Sequence, residues 1–431
     1  MSRILALLKA NTTSFPSDLI DAINSAGGSP VQIWSSDSGF YGVVAEGDAS
    51  VQTAMSGHPA VACATSDSVP SAQSLDVDPG ATELAGAWNT YLSSDYQTAV
   101  TGFYNSSMNI DAMLPPGGCN QNSSDAGDGG SGPLVASNDP TGSTNGAVDT
   151  SADPSGGAAQ LGTPASGGAA GLATATVVHK ERRAIVGTVG IAVGFVGGPA
   201  GSTAELTPDN NGTLSLAMIH AMNVYYDIAP KAAHLVFEVN VRRATLTLDP
   251  TTVPVPADPK NPAAADWEAA EAPWRDAALK AWGQTAGMPG VDGFISSASF
   301  STPPDYAYAA LLTNYPVAWE SYTSDSRKVV YQLTGVLNDW KLAGAHFVFA
   351  HETGHTSGAP DEYAASHCSI TDKSGFSNSA NTNCENGNAA SVDCLMRNNT
   401  KSLCPATPGH FGWNDSNGDG ILDPFDSTYA T

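Results

Sequence analysis

The chain of 431 residues carries 42 acidic and 17 basic side chains, which gives a formal net charge of −25. Such an acidic chain repels nucleic acid and anionic membrane surfaces, so neither is an expected partner. No apolar run approaches the roughly 20 residues that a membrane-spanning helix needs. The length exceeds what one ordinary core accommodates, which favours two or three structural units.

Residues 1–68 have the pattern of a small unit of alternating strands and helices. Apolar spacing predicts strands at 4–8, 31–34, 40–45 and 60–64 and helices at 17–26 and 48–56, the second capped by Asp48. This β-α-β-β-α-β order is that of a ferredoxin-like fold. The layout resembles the inhibitory propeptides of some secreted proteases, so we expect a prodomain or an ordinary small α+β domain. The first residues lack the uninterrupted apolar segment of a secretory leader.

The middle of the chain has little capacity to form a core. Residues 69–116 are a predicted helical connector, and residues 117–171 are rich in Gly, Ser, Ala and Asp without aromatic or basic side chains. Such chain buries too little apolar surface to offset its ordering entropy, which predicts a flexible linker. A basic cluster follows at 179–183, either a processing site beside the linker or a solvated strand end.

Residues 172–413 form the predicted main domain. Strands are expected at 184–196, 234–241 and 293–300, and helices at 214–228, 264–282 and 346–355. The last helix is apolar along nearly its whole length, so we expect its few polar residues to lie on a buried element.

That last helix ends in His351-Glu352-Thr353-Gly354-His355, with two histidines four residues apart. On a helix they share one face, where two imidazoles can bind one Zn²⁺ and Glu352 can reach a water molecule on the metal. Gly358 lets the chain leave the helix and Pro360 blocks its continuation. The chain can then bring Asp361 back to the histidines as a third ligand.

The pattern H-E-x-x-H-x-x-G-x-x-D resembles the zinc signature of the metzincin metallopeptidases, with aspartate where most members have a third histidine. The ending Gly-Ala-Pro-Asp-Glu-Tyr is also similar to bacterial peptidases of the immunoglobulin-A protease type. The resemblance implies a twisted mixed sheet, an active-site helix and a methionine turn below the metal, for which Met396 is the candidate. The third ligand stays open between Asp361, Glu362 and His367, since a carboxylate oxygen is also a zinc ligand.

These features predict an α+β, zinc-dependent endopeptidase acting on a protein or peptide substrate. Glu352 is expected to serve as general base for a metal-activated water, with His351, His355 and Asp361 holding the metal. The alternative is a metzincin-like zinc-binding module with weak or no catalysis that acts in protein binding. No feature of the sequence fixes an oligomeric state.

Six cysteines favour an oxidising compartment and therefore an extracellular or cell-surface protein. Four of them follow the histidine motif in loop-rich chain, spaced 16, 10 and 10 residues apart without any C-x-x-C pair. We expect two disulfides among these four in one of three pairings, with buried thiols as the alternative. A third bridge could join Cys63 and Cys119. The four residues are Cys368, Cys384, Cys394 and Cys404.

The tail at 414–431 contains a segment that resembles the calcium loops of EF-hand and dockerin-like repeats. Its oxygen ligands fall at positions 1, 3, 5, 9 and 12 of such a loop, with Gly420 at the sharp turn and the carbonyl of Ile421 at position 7. This spacing predicts a structural Ca²⁺ site, and an acidic Asx turn is the alternative. The side-chain ligands would be Asp415, Asn417, Asp419, Asp423 and Asp426.

Overall fold

The computed structural model describes residues 2–70, 74–105, 176–179, 182–255, 264–317, 321–324, 329–333 and 341–429. The predicted linker at 117–171 and Cys119 lie outside these residues, as does part of the connector at 69–116. Among the residues described, no helix is both long and apolar enough to cross a membrane.

The described chain forms eleven strands and ten α-helices. The strands are β1 (Ser2–Leu8), β2 (Ser29–Ser36), β3 (Gly39–Gly47), β4 (Val61–Thr65), β5 (Thr188–Gly197), β6 (Val236–Thr245), β7 (Tyr306–Thr313), β8 (Ser321–Thr323), β9 (Val329–Leu333), β10 (Lys373–Ser374) and β11 (Ser379–Ala380). The helices are α1 (Ser17–Ser25), α2 (Ala49–Gly57), α3 (Pro79–Leu92), α4 (Ser94–Asn105), α5 (Pro208–Ile228), α6 (Ala264–Ala281), α7 (Gly287–Ser296), α8 (Lys341–Thr356), α9 (Leu395–Asn398) and α10 (Thr407–Phe411).

Nine of the strands form one mixed sheet in the order β4-β1-β3-β2-β6-β5-β7-β9-β8. The neighbours from β2 to β9 pair in parallel, and antiparallel pairs flank them at both ends. The first four strands and two helices follow the predicted β-α-β-β-α-β order, and Asp48 caps α2 by accepting from the Ser50 N–H at 2.8 Å. The sheet continues without interruption from β2 into β6.

Helices cover both faces of this sheet, because successive strand residues point to opposite faces and nearly all of them are buried. On β1, Leu5 and Leu7 join the core under α3, α5 and α8, while Ile4, Ala6 and Leu8 join the core under α1 and α2. Helices α6 and α7 cover that second face over the parallel strands. The protein is therefore a three-layer α+β structure, and the α+β class is confirmed.

The predicted strand at 293–300 is wrong, because residues 287–296 form α7. Gly290, Val291 and Phe294 recur at helical spacing and are buried. Pro289 lies in the first turn of the helix, where its missing N–H removes no intrahelical hydrogen bond. Helix α5 begins six residues earlier than predicted, because Thr207 caps it by accepting from the Asn210 N–H at 3.2 Å.

Candidate metal centre

Helix α8 carries the two histidines, and tyrosines from two other elements hold it in place. Tyr225 of α5 and Tyr306 of β7 donate to main-chain carbonyls of α8 at 2.7 and 3.0 Å. Tyr308 of β7 bonds the Thr353 hydroxyl at 2.9 Å. The motif therefore sits on a helix that is anchored along its side, and no pattern in the sequence points to these tyrosines.

The helix ends at a glycine in the left-handed region, as predicted. Gly358 has φ of +90°, and its N–H bonds back to the His355 carbonyl at 2.8 Å. The Ala359 N–H bonds to the Gly354 carbonyl at 3.3 Å. A β-carbon at Gly358 would be strained, since L-residues rarely adopt this φ. The turn reverses the chain and places Asp361 beside the histidines.

Three buried donor atoms converge at this turn. Asp361 Oδ1 lies 2.8 Å from His351 Nε2 and 3.3 Å from His355 Nε2. The two Nε2 atoms are 3.0 Å apart. All three side chains are buried. Among the described residues, they form one of two groups that bring three His, Cys, Asp or Glu ligand atoms within 4.8 Å of one another.

A hydrogen bond from Nδ1 fixes the orientation and the tautomer of each imidazole ring. His351 Nδ1 donates to the Leu395 carbonyl at 3.0 Å, and His355 Nδ1 donates to the Ala359 carbonyl at 2.7 Å. With Nδ1 protonated, the neutral ring turns the lone pair of Nε2 toward Asp361. Two lone pairs and a carboxylate then face one another, an arrangement that needs a proton or a cation between them.

The electrostatics of these three side chains show the same requirement. Burial opposes protonation of His351, but the hydrogen bond and charge of Asp361 outweigh it and raise the pKa of that imidazole to about 9. Burial likewise opposes ionisation of Asp361, yet the charges of His355 and His351 hold its pKa well below the ordinary value. The group is thus set to bind positive charge.

Zinc fits this donor set in chemistry and in size. Imidazole nitrogen and carboxylate oxygen are both zinc ligands, with bond lengths of about 2.0–2.2 Å, which correspond to tetrahedral edges of about 3.3–3.6 Å. The observed separations of 2.8 to 3.3 Å need to open by at most about 0.8 Å.

Glu352 lies on the same helix and is held by a threonine from the edge of the sheet. Thr323 Oγ1 of β8 contacts Glu352 Oε2 at 3.1 Å and the Glu352 carbonyl at 2.6 Å. Burial raises the pKa of the Glu352 carboxyl, against the opposing charges of the histidines. A lone threonine in a short strand carries no sequence signal, so this contact could not be foreseen.

Met396 lies directly beneath the turn of α8 that carries the two histidines. A β-carbon at Gly354 would fall 2.6 Å from Met396 Sδ, so the glycine is what lets the methionine approach. Met396 is fully buried, and the neighbouring Leu395 supplies the carbonyl that orients His351. Helix α9 therefore supports the site from below and positions one of its rings.

The two other candidates for the third ligand do not join the histidines. Glu362 turns away, and its carboxylate accepts from Cys404 Sγ at 3.0 Å, Thr407 Oγ1 at 2.9 Å and Asn383 Nδ2 at 2.7 Å. His367 is exposed. Asp361 is thus the candidate that the structure brings to the two imidazoles.

One of the two predicted disulfides is present and the other is wrong. Cys368 and Cys384 are bonded, whereas Cys394 and Cys404 are free, buried thiols. Both free thiol sulfurs lie within hydrogen-bond distance of Thr407 Oγ1, at 3.1 and 3.2 Å. Cys63 is also a free thiol.

The C-terminal loop is closed by its own backbone. Asp415 accepts from the N–H groups of Gly418 and Gly420, each at 2.8 Å, and Asp423 accepts from the Ser416 N–H at 2.8 Å. Gly420 has φ of +88°, as the sharp turn requires. Asn417 and Asp419 form Asx turns, in which they accept from the N–H groups of Asp419 and Ile421 at 3.0 and 2.9 Å, and calcium binding stays a prediction.

Comparisons of the chain with protein-family models, with curated proteins and with solved structures found no match. Its functional interpretation depends on its motif and on the geometry of these residues.

Proposed function

We propose that the protein is a zinc-dependent endopeptidase with His351, His355 and Asp361 as its metal ligands. The observation that carries the proposal is the convergence of three buried donor atoms whose two imidazoles already donate through Nδ1 to carbonyls. Three protein ligands characterise catalytic rather than structural zinc sites, which usually have four. The resemblance of the motif to the metzincin signature points to the same chemistry.

Bound zinc would supply a water of lowered pKa and polarisation of the scissile carbonyl. Glu352 would accept the proton of that water and return it to the leaving amine. Its burial favours this role, because a raised carboxyl pKa lies nearer to neutral pH, where a general base works best. Thr323 would hold the carboxylate in place, and Leu395 and Ala359 would keep both rings oriented.

The proposed location rests on the disulfide, and the proposed substrate class rests on the histidine motif. The Cys368–Cys384 bond is of a kind that persists in oxidising compartments, which supports an extracellular or cell-surface enzyme. A protein or peptide is the substrate class that the motif implies.

The test combines metal analysis with cleavage of a broad peptide library. We expect the purified protein to contain zinc, to cleave peptides, and to lose cleavage on chelation and regain it with zinc. Glu352→Gln is expected to keep the zinc and lose cleavage. A metal-free protein with intact fold would overturn the proposal, and zinc without any cleavage by the natural sequence would identify a zinc-binding module instead.

A further inference from the structure

A second group of buried ligand atoms lies one residue from the first. Glu362, Cys394 and Cys404 bring one carboxylate oxygen and two sulfurs within 4.8 Å of one another, and all three residues are fully buried or nearly so. The histidine motif does not use any of them, and the sequence had suggested disulfides for both cysteines.

The Thr407 hydroxyl oxygen lies close to all three ligand atoms of this group. Thr407 Oγ1 lies 3.1 Å from Cys394 Sγ, 3.2 Å from Cys404 Sγ and 2.9 Å from Glu362 Oε1, and Cys404 Sγ lies 3.0 Å from the same Oε1. Zinc bonds of about 2.3 Å to sulfur and 2.0 Å to oxygen correspond to edges of about 3.3–3.8 Å. These four separations are slightly shorter than the edges of a zinc tetrahedron, as are those of the first group.

The surroundings of the buried Glu362 carboxyl group give an independent reason to expect a cation. A buried carboxylate is ordinarily paired with a cation or bound to a metal. Within the described chain, the hydrogen-bond partners of Glu362 are a thiol, a hydroxyl and an amide, and none of these is cationic. In addition, the Cys404 N–H donates to Cys394 Sγ at 3.3 Å, which ties the two cysteines together.

We propose that Glu362, Cys394 and Cys404, with the Thr407 hydroxyl as a fourth donor, bind a second, structural metal ion of the thiophilic divalent class, Zn²⁺ in the first place. Two thiolates select zinc over magnesium or calcium. On binding, the two thiols release their protons to solvent and no oxidation is involved.

The location gives this ion a role beyond its own ligands. The Glu362 N–H donates to the Met396 carbonyl at 2.9 Å, and Glu362 is bonded in sequence to Asp361. An ion held by Glu362 and Cys394 would tie the turn that carries Asp361 to the segment that supports α8. Loss of the second ion should therefore weaken metal binding at the first group.

The experiment counts metal in the full-length protein prepared with reductant and zinc. We expect two zinc ions per chain in the natural sequence, one in His355→Ala, and none when Cys394→Ser is added to His355→Ala. Cys63→Ser removes a free thiol outside the group and, added to His355→Ala, should leave one zinc. These counts do not depend on peptidase activity, so they stand or fall separately from the proposed function.

A second measurement uses only the His355→Ala variant, so it does not depend on whether the cysteine variant folds. It detects thiolate ligands by their absorption when cadmium is bound. Cadmium added to this variant should give one equivalent of thiolate-to-metal charge-transfer absorption in the near ultraviolet. Absence of both zinc and this absorption would overturn the proposal. Recovery of a peptide with Cys394 disulfide-bonded to Cys404 from the freshly purified, unreduced protein, together with a single zinc per chain, would also overturn it.

Discussion

The two buried ligand groups are separated by the single peptide bond between Asp361 and Glu362, yet they are built in different ways. The first takes all three donors from one helix and the turn that ends it, within residues 351–361. The second collects its donors from positions 362, 394 and 404, on three separate segments. The first group can be recognised from the spacing of its residues in one short segment. The second is assembled only when distant segments fold together.

The largest difference that we expect between the two ligand groups is chemical, because Glu352, the base that we propose, lies on the helix of the first group. Glu352→Gln should lower kcat/KM by about 10²–10⁴-fold while zinc content stays unchanged, since the amide cannot accept the proton. Single-turnover cleavage and metal analysis on the same sample test this. Cleavage at the natural rate in the variant would show that Glu352 is not the base.

Replacing each of the two adjacent carboxylates with alanine tests whether they belong to different ligand groups. Asp361→Ala should weaken the zinc that supports cleavage by more than about 100-fold, because removal of an outer hydrogen-bond partner alone costs about 10–100-fold. Glu362→Ala should have a clearly smaller effect on that zinc. The measurement is the chelator concentration that halves cleavage, and equal values for the two variants would contradict the assignment.

Removing the metal should reveal a pH dependence that belongs to the first group. The pKa of His351 is raised from 6.5 to about 9, so the stability that its protonation contributes is complete below pH 6.5 and is lost as the pH rises through 9. We expect this loss to amount to a few kcal/mol, since a tenfold change in a protonation equilibrium corresponds to about 1.4 kcal/mol. Denaturation of the chelator-treated protein at several pH values measures it. His351→Asn should abolish the loss, and a metal-free protein whose stability rises over this interval would contradict the pairing of His351 with Asp361.

A larger side chain at Gly354, beneath the first ligand group, should lower stability because it disturbs the packing of Met396. Gly354→Ala would place its β-carbon 2.6 Å from Met396 Sδ and is expected to cost about 1–3 kcal/mol of stability. Gly86→Ala in helix α3 is the matched control, since nothing lies within 4 Å of its added carbon. That control should stabilise by up to about 1 kcal/mol. The free energies of unfolding of both variants are measured in urea with zinc present. Equal values would show that Met396 moves aside without a cost in stability.

The smallest expected effect concerns Thr323. Thr323→Val removes the hydroxyl at Glu352 and should lower kcat/KM by about 5–10-fold, the equivalent of one hydrogen bond. Thr323→Ser keeps the hydroxyl and should restore the rate. If both variants behave alike, the contact does not position the base.

The sequence was most informative where one short segment decides the outcome. The spacing of His351 and His355, the glycine at 358 and the aspartate cap at 48 each act within a few residues, and the structure places all of them as predicted. The β-α-β-β-α-β order of residues 1–68 could be predicted for the same reason, since apolar periodicity sets each element locally.

Contacts between distant segments could not be predicted. Thr323 donates to Glu352, and the Leu395 carbonyl orients His351. Cys404 donates to Glu362. Hydrophobic periodicity carries no information about contacts between residues so far apart in sequence. The error at 293–300 has another origin, because a run containing Phe294 and Ile295 suits a strand or a buried helix equally well. The disulfide prediction failed for the last pair because cysteine spacing does not show what else surrounds a thiol.

The pairing of β2 with β6 determines whether the two pieces of the chain would separate after proteolytic cleavage of the connector. Residues 32–36 of β2 are hydrogen-bonded in register with residues 237–241 of β6, and Gln32 Nε2 donates to the Ile219 carbonyl at 2.9 Å. A cut in the connector would therefore leave a nicked protein whose two pieces stay associated and co-purify until denaturant separates them. Stripping the first piece away would bare one long side of β6, and open strand edges of this kind recruit other chains.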